Sequence, residues 1–201
     1  MKLVECVPNF SEGRDAAKIE QIANEIRGTD GVKLLDVDPG RDTNRTVVTF
    51  IGTPEAALEA AFRAIAKAAE IIDMRTHTGA HARLGATDVC PFVPVSGVTM
   101  EDCAALARAL GARVAAELAI PVYLYEEAAS SPDRRNLANI RQGEYEGLAE
   151  KLKDPAWKPD FGPAVFNPKC GATVIGAREF LIAYNVNLNT RDVRIAREIA
   201  F

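Results

Sequence analysis

The chain has 201 residues, which is enough for one large domain or two small ones with a substantial core. Its net charge of −4 argues against a general nucleic-acid binder, and no apolar run reaches the roughly 20 residues that a membrane-spanning helix needs. Residues 1–6 lead directly into a strand-like pattern without a basic, apolar leader, so we expect a cytoplasmic protein.

The first half of the chain alternates between strand-like and helical patterns. Apolar residues recur at helical spacing in two segments, and β-branched or alternating residues mark four others. Asp15 is a suitable cap for the first helix, and Pro54 occupies the preferred first position of the second. The predicted elements are a strand at 3–7, a helix at 15–28, strands at 32–38 and 45–51, a helix at 54–72 and a strand at 87–95.

This order is the ferredoxin-like β-α-β-β-α-β motif, in which both helices cover one face of a sheet. Pro91 and Pro94 in the fourth strand indicate an edge strand or a β-bulge, because proline cannot donate to a ladder. We therefore predict an α+β fold with a ferredoxin-like core, extended to a roughly six-stranded mixed sheet with helices on one face. The further predicted elements are a helix at 99–118, a strand at 121–125, short helices within 126–152, a loop at 157–171, a strand at 180–188 and a helix from Asn189 or Thr190.

Both histidines lie in one polar, glycine-broken segment, residues 73–88, which we call the histidine loop. Imidazole has an ordinary pKa near neutrality, so His77 or His81 could act as a base or acid without a large shift. Arginines of the same loop would lower the pKa of a neighbouring imidazole by repulsion. The residues alone leave open whether either histidine is functional or only hydrogen-bonded. A metal site is disfavoured, because Gly79 separates the two histidines and no third ligand is evident.

Three further features are candidates for ligand contact. Asn9 follows the first strand and would either make turn hydrogen bonds or hold an anion or hydroxyl. Asp36 and Asp38 alternate with apolar residues and should project from one face, with Asp38 the better candidate to partner a histidine or a cationic group. Residues 161–171 mix aromatics, prolines and glycines, which could cover the core edge or bind a flat heterocycle.

Several specific strings occur in a fixed order along the chain. They include LVECVPNFSEG at 3–13, LDVD at 35–38, TNRT at 43–46, the segment 73–94, PVYLY at 121–125 and GEYE at 143–146. With these strings the chain resembles, over nearly its whole length, the N-terminal subdomain of glutamate formimidoyltransferase, the transferase part of formimidoyltransferase-cyclodeaminase.

The resemblance implies transfer of the formimidoyl group of N-formimidoyl-L-glutamate to N5 of tetrahydrofolate, a co-substrate, in histidine degradation, without a metal. It implies that His81 is the catalytic general base and acid. The implied folate-binding residues are Gly162, Pro163, Ala164, Val165, Phe166, Asn167, Pro168, Lys169, Cys170 and Gly171. Supporting roles are hypotheses for Asp38, Asn9, Arg45, His77 and Arg83, with Arg45, Arg75 or Arg83 as carboxylate binders.

The family transferases continue into a second α/β subdomain. We therefore expect residues 1–188 to be the N-terminal subdomain and residues 189–201 to begin a linker helix toward a C-terminal subdomain that this chain lacks. The chain is either a fragment or a short relative in which a partner chain supplies the second side of the cleft. The family implies a homodimer. One alternative is formyl transfer or cyclisation on folate. The other is a non-catalytic folate-binding or dimerisation module. In each case we expect no nucleic-acid partner and no membrane association.

Overall fold

In a computed structural model, which describes residues 1–182, 186 and 188–200, seven strands form one mixed sheet. The strands are β1 (Leu3–Cys6), β2 (Asn9–Phe10), β3 (Val32–Gly40), β4 (Arg45–Gly52), β5 (Thr87–Ser96), β6 (Val122–Glu126) and β7 (Thr173–Ala177). The helices are α1 (Ala16–Arg27), α2 (Pro54–Ile71), α3 (Met100–Leu118), α4 (Leu137–Arg141), α5 (Glu144–Lys151) and α6 (Val193–Ala200). Within the described ranges, no helix is both long and apolar enough to cross a membrane.

The sheet confirms the predicted ferredoxin-like core. β1 and β2 pair with β4 on one side and with β5 on the other, all antiparallel, and β3 pairs with the outer edge of β4. The core order is therefore β3, β4, β1 with β2, and β5. β7 extends it by pairing parallel to β5, and β6 pairs parallel to β7. The α+β prediction is confirmed.

The two faces of the sheet carry separate apolar clusters. The larger cluster lies between the strands and the three long helices α1, α2 and α3, with Val122 and Leu124 of β6 among its members. Side chains alternate along a strand, so Tyr123 and Tyr125 project to the opposite face, where α4 and α5 cover them. The predicted one-sided arrangement holds for the long helices, and the two short helices add a partial cover on the other side.

The last strand of the sheet is not where the sequence predicted it. It is Thr173–Ala177, and every one of its residues is buried. A parallel strand that is buried on both faces has a continuous run of small and apolar residues. It lacks the alternation of apolar and polar residues that identifies half-exposed strands. In the predicted range 180–188, the described residues 180–182, 186 and 188 are not in a strand, and residues 183–185 and 187 lie outside the described residues.

Strand β5 is internal, so the edge-strand interpretation of its prolines is wrong, and a bulge lies beside Pro94. β5 has β1 and β2 on one side and β7 on the other. Its register against β1 skips Val95, next to Pro94, and its register against β2 skips Asp88. Pro91 lies in regular register opposite Gly176 of β7, so the bulges do not account for Pro91.

The predicted helix starts are confirmed at α1 and α3, and α6 starts later than expected. The Asp15 carboxylate accepts hydrogen bonds from the amides of Ala17 and Lys18, and Thr99 forms a capping box with Asp102. Helix α6 begins at Val193 because the Asp192 carboxylate accepts from the Arg194 amide at 2.9 Å. Phe201, expected at the end of this helix, lies outside the described residues.

Replacement of Gly85 by alanine tests how tightly the histidine loop packs on the segment before β7. A Cβ at Gly85 would lie 2.3 Å from the Cys170 carbonyl oxygen and 2.4 Å from that of Ala172. Both atoms belong to the backbone, so we expect Gly85→Ala to lower the free energy of unfolding by about 2–3 kcal/mol in urea titrations followed by circular dichroism.

The matched control is Gly147→Ala in α5, where nothing lies within 4 Å of the added Cβ. Because alanine is the better helix former, this variant should gain about 0.5–1 kcal/mol. Equal stability of Gly85→Ala and the unsubstituted chain would contradict the packing described here.

Candidate active site

The histidine loop is fixed by its neighbours along its whole length. At its start, the Met74 amide donates to the Lys169 carbonyl at 2.9 Å. Near its end, the Ser11 hydroxyl donates to the Gly85 carbonyl at 2.7 Å. Its backbone is therefore held between the turn after β2 and the segment before β7, and its side chains are presented from a rigid support.

The middle of the loop crosses the β3–β4 turn at close range. A Cβ at Gly79 would lie 2.1 Å from the Thr43 carbonyl oxygen, so only glycine fits there. Asn44 has a positive φ of 48°, a conformation that asparagine tolerates better than most residues. Its side chain accepts from the Gly13 amide at 3.0 Å and donates to the Thr78 carbonyl at 2.9 Å. This asparagine joins the turn to the histidine loop.

His77 has both ring nitrogens engaged. The Arg83 Nε donates to its Nδ1 at 3.2 Å, and because guanidinium groups only donate, Nδ1 must carry the lone pair. The Nε2 then donates to the Asn44 carbonyl at 2.8 Å. Burial lowers the pKa of His77, and the charge of Arg83 lowers it further against the opposing effect of the Asn44 bond. His77 is thus a neutral, positioned ring with no lone pair left for a substrate.

Arg83 is committed to the protein. Its Nε and Nη2 bond to the ring and carbonyl of His77, while Nη1 and Nη2 reach the carboxylates of Glu144 and Glu146 at 2.6–3.1 Å. These five hydrogen bonds match the five N–H donors of a guanidinium. Arg83 therefore connects the histidine loop to α5, and no donor remains for a substrate carboxylate.

Asp88 is the extra residue of the bulge between β2 and β5. Asn9 lies opposite Val89, whereas the next residue, Phe10, lies opposite Thr87. The register therefore skips Asp88, and a bulge of this kind changes the direction in which a side chain points. The Asp88 side chain is fully buried.

The buried Asp88 carboxylate holds two arginines. Its Oδ2 accepts from Nη1 of Arg45 in β4 and from Nη2 of Arg141 at the end of α4. Its Oδ1 accepts from the Leu84 amide of the histidine loop at 3.0 Å and from the Arg141 Nε at 3.4 Å. Burial alone would raise the pKa of Asp88, but the charges and hydrogen bonds of the two arginines outweigh it and the pKa is lowered.

His81 differs from His77 in having one available nitrogen. Its Nδ1 lies 2.7 Å from the Ala82 carbonyl oxygen, which can only accept, so Nδ1 carries the proton. The lone pair is then on Nε2, which has no hydrogen-bond partner among the described residues. Burial lowers the pKa of His81, and the charges of Arg45 and Arg141 lower it as well. The predicted lowering of an imidazole pKa by an arginine of the same loop is therefore found at His77, from Arg83, whereas at His81 the repulsion comes from Arg45 and Arg141.

A cleft of about 250 Å³ opens beside the arginine pair. Its polar and charged lining residues are Asn9, Arg45, Tyr125, Glu126, Asn136, Arg141 and Arg178. The Asn9 Oδ1 accepts from the Arg45 Nε at 3.2 Å, so Asn9 also orients this arginine.

Asp38 lies on the same open face of the sheet. It pairs with Val47 of β4, which in turn pairs with Asn9, so Asp38 is two strands away from Asn9 in the same row. The predicted common face of Asp36 and Asp38 is confirmed, because they lie opposite Thr49 and Val47, two residues that share one face of β4.

The predicted folate-binding loop, residues 162–171, abuts the histidine loop. The Asn167 Oδ1 accepts from the amides of Lys169 and Cys170 at 3.1 and 3.0 Å, which closes a tight turn. Gly171 has a φ of 67°, and a Cβ there would lie 2.1 Å from the Leu84 carbonyl oxygen. The second half of this loop is therefore a rigid neighbour of the segment that carries His81.

The first half of the same loop offers an apolar surface. Residues 162–165 are exposed, and the Phe166 ring packs at a tilt against Tyr145 with centroids 5.4 Å apart. Cys170, by contrast, is buried, and burial raises the pKa of its thiol, so the thiol form is favoured over the nucleophilic thiolate. In the described residues, no group of three or more His, Cys, Asp or Glu side chains is placed to hold a metal ion.

Comparisons with known proteins identify what the chain is similar to. Residues 3–178 match the family model of the formiminotransferase domain, N-terminal subdomain. The chain is 56% identical to the glutamate formimidoyltransferase of Thermoplasma acidophilum and 45% identical to that of Streptococcus pyogenes, over 100% and 99% of its length. It is 58% identical to the formimidoyltransferase-cyclodeaminase of Rattus norvegicus over 93% of its length.

The chain spans only part of these relatives. It covers 66% and 67% of the two glutamate formimidoyltransferases and 35% of the formimidoyltransferase-cyclodeaminase.

Substitution of Asp88 tests the buried cluster. Asp88→Asn keeps an acceptor for the Leu84 amide but removes the charge between Arg45 and Arg141. Two partly desolvated guanidinium groups would then face each other, so we expect a loss of about 3–5 kcal/mol in the free energy of unfolding. Urea titration of the purified variant measures this loss.

Glu146→Gln is the control for that measurement. It removes an exposed carboxylate from Arg83, which keeps its partner Glu144, so the change should stay within about 1 kcal/mol. Similar small losses in both variants would mean that the Asp88 cluster is not the stronger constraint.

Proposed function

The chain belongs to the formiminotransferase family, and we propose on that premise that it transfers a formimidoyl group from N-formimidoyl-L-glutamate to N5 of tetrahydrofolate. The observation that carries this proposal is the single available imidazole nitrogen, Nε2 of His81, in the loop whose Leu84 amide bonds to the Asp88 carboxylate that holds two arginines of the cleft. Both substrates carry carboxylates. Tetrahydrofolate supplies a nitrogen nucleophile, and formimidoylglutamate supplies a nitrogen leaving group. A neutral base next to fixed positive charge suits that chemistry.

The proposed reaction proceeds by addition and elimination at the amidine carbon. N5 of tetrahydrofolate attacks this carbon, the π electrons of the C=N bond move onto the terminal nitrogen, and the new C–N bond leaves a positive charge on N5. His81 Nε2 removes the N5 proton. The imidazolium then returns that proton to the glutamate nitrogen. As the bond between that nitrogen and carbon breaks, the C=N bond re-forms, which releases glutamate and formimidoyl-tetrahydrofolate. The ring ends neutral, so each turnover restores the base.

Three features of His81 support this role over His77. The Ala82 carbonyl fixes the tautomer that leaves the Nε2 lone pair outward. The lowered pKa keeps the ring neutral near pH 7. His77 has both nitrogens bonded inside the protein, which supports a positioning role for that ring.

The loop at 162–171 supports the folate side of the proposal. Its rigid turn at Asn167 and its exposed apolar first half, next to the Phe166 and Tyr145 rings, offer an apolar and aromatic surface for a pterin or benzoyl ring. Because the chain spans only part of its relatives, we include in the proposal that a second subdomain or a partner chain completes the folate site. The proposal also includes a cytoplasmic homodimer, as the family resemblance implies.

His81→Ala tests the base. The side chain bonds only to the adjacent Ala82 carbonyl among the described residues, so folding should be unaffected. General acid–base catalysis contributes about 100- to 10,000-fold, and we expect kcat to fall by that factor. The assay follows formimidoyl-tetrahydrofolate by absorbance after mixing tetrahydrofolate with formimidoylglutamate, and imidazole added to the buffer should restore part of the rate.

Tetrahydrofolate binding, measured by calorimetry, is the control in this experiment and should match that of the unsubstituted chain. Turnover by His81→Ala within a few-fold of the unsubstituted rate would remove His81 as the base. No turnover by either protein, with folate binding retained, would favour a folate-binding module.

The pH profile gives a separate test. Burial and the charges of Arg45 and Arg141 lower the pKa of His81, so its base form persists below the ordinary value of 6.5. The acid limb of kcat/KM should therefore have its midpoint below pH 6.5. Arg141→Gln removes one of the charges that lower this pKa, so the limb should move to higher pH. An acid limb that stays in place in this variant would contradict the electrostatic account.

A further inference from the structure

We propose that Arg141, paired with Arg45 across Asp88, forms the subsite that binds a glutamate carboxylate of the substrates. This inference rests on the proposed function and assigns a specificity role to Arg141, which no sequence pattern marked. The alternatives within the histidine loop are weaker. Arg75 is paired with Asp73 on the exposed surface, and Arg83 has all five donors in use.

The remaining donors of the pair point away from Asp88. Arg141 uses Nε and Nη2 on Asp88, and Arg45 uses Nη1 on Asp88 and Nε on Asn9. Nη1 of Arg141 and Nη2 of Arg45 have no partner among the described residues. Among the described residues, Thr87 Oγ1 is the one buried side-chain oxygen or nitrogen without a partner, so these two unpartnered nitrogens are not buried. We therefore place both of them at the surface of the cleft that these two arginines line.

The charge balance of the cluster favours an anion. Two guanidinium groups share one carboxylate, which leaves a net formal charge of about +1 at a largely buried position. The side chains of Arg45 and Arg141 are only 9% and 15% exposed, so solvent screens this charge weakly. A bound carboxylate would complete an alternating arrangement of two positive and two negative groups.

The pair is also held in position before any ligand arrives. Arg45 extends from the first residue of β4 and Arg141 from the last residue of α4, and Asp88 fixes both ends. Ordering a long side chain on binding costs about 0.5–1.5 kcal/mol, and this cost is largely absent here. The planar guanidinium fork matches the geometry of a carboxylate.

The subsite lies within electrostatic reach of the proposed base. The charges of both arginines act on His81, and Leu84, in the same loop as His81, bonds to Asp88 directly. A substrate carboxylate held by the pair would therefore keep the reacting amidine in the neighbourhood of His81. The glutamate of the formimidoyl donor and the glutamyl tail of folate offer the same carboxylate chemistry.

Arg141→Gln and Arg141→Lys separate these possibilities in the transferase assay. Loss of a charge-assisted hydrogen bond costs about 1.5–3 kcal/mol, which corresponds to a 10- to 100-fold rise in KM. We expect that rise for formimidoylglutamate in Arg141→Gln and a smaller one in Arg141→Lys, with kcat changed less than KM. Arg108→Gln, which removes an exposed arginine paired with Glu101 on α3, is the matched control and should leave both KM values within about two-fold.

The second substrate identifies the source of the carboxylate. A rise in the KM of tetrahydrofolate alone, absent with tetrahydropteroate, which lacks the glutamyl tail, would assign the subsite to folate and keep the proposal. Unchanged KM values for both substrates in folded Arg141→Gln and Arg141→Lys would overturn it.

Direct binding keeps this test independent of turnover. Calorimetry with formimidoylglutamate should detect binding to the unsubstituted chain and a 10- to 100-fold weaker affinity for Arg141→Gln. If the chain binds the ligand through Arg141 but never transfers the formimidoyl group, the proposed function fails and the subsite stands. If transfer proceeds and Arg141→Gln leaves the affinities for both formimidoylglutamate and tetrahydrofolate unaffected, the subsite fails and the function stands.

Discussion

The candidate site depends on one buried carboxylate. A carboxylate removed from water costs several kcal/mol unless it is paired and hydrogen-bonded. Asp88 meets that condition with three elements at once, because Arg45 comes from β4, Arg141 from α4 and the Leu84 amide from the histidine loop. The bulge between β2 and β5 aims its side chain there. The core sheet, the second-face helices and the loop with His81 are therefore joined at a single group.

A second hydrogen-bond network, around Arg83 and Asn44, gives the two imidazoles different environments. Arg83 and the Asn44 carbonyl occupy both nitrogens of His77, so this ring fixes the loop against the β3–β4 turn and α5. His81 is held through Nδ1 alone, by the carbonyl of the next residue. Both rings have lowered pKa values with burial as the largest cause. What distinguishes them chemically is the remaining lone pair.

The core topology could be predicted from sequence because its helices and strands have the periodicities and caps expected of half-buried elements. β7 could not, because a strand buried on both faces has no alternation. The Asp88 cluster was also missed. Asp88 lies at the start of an apolar strand, where a buried acid requires a cation, but sequence does not identify Arg141, which comes from a short helix far along the chain. The family resemblance, not periodicity, selected His81 and the loop at 162–171.

Stability alone does not account for the Asp88 cluster. Buried ion pairs are often no more stabilising than well-packed apolar residues of similar volume, so a carboxylate with two arginines is a poor solution if packing is the only requirement. The global charge of −4 would also repel an anionic ligand, but screening by salt limits that effect to about 8 Å at physiological ionic strength. A ligand in the cleft therefore responds mainly to the charged groups that line it, which are Arg45, Arg141 and Arg178 together with Glu126. A better account of the cluster is that it holds two guanidinium groups in a fixed orientation while part of their hydrogen-bonding capacity stays available in the cleft.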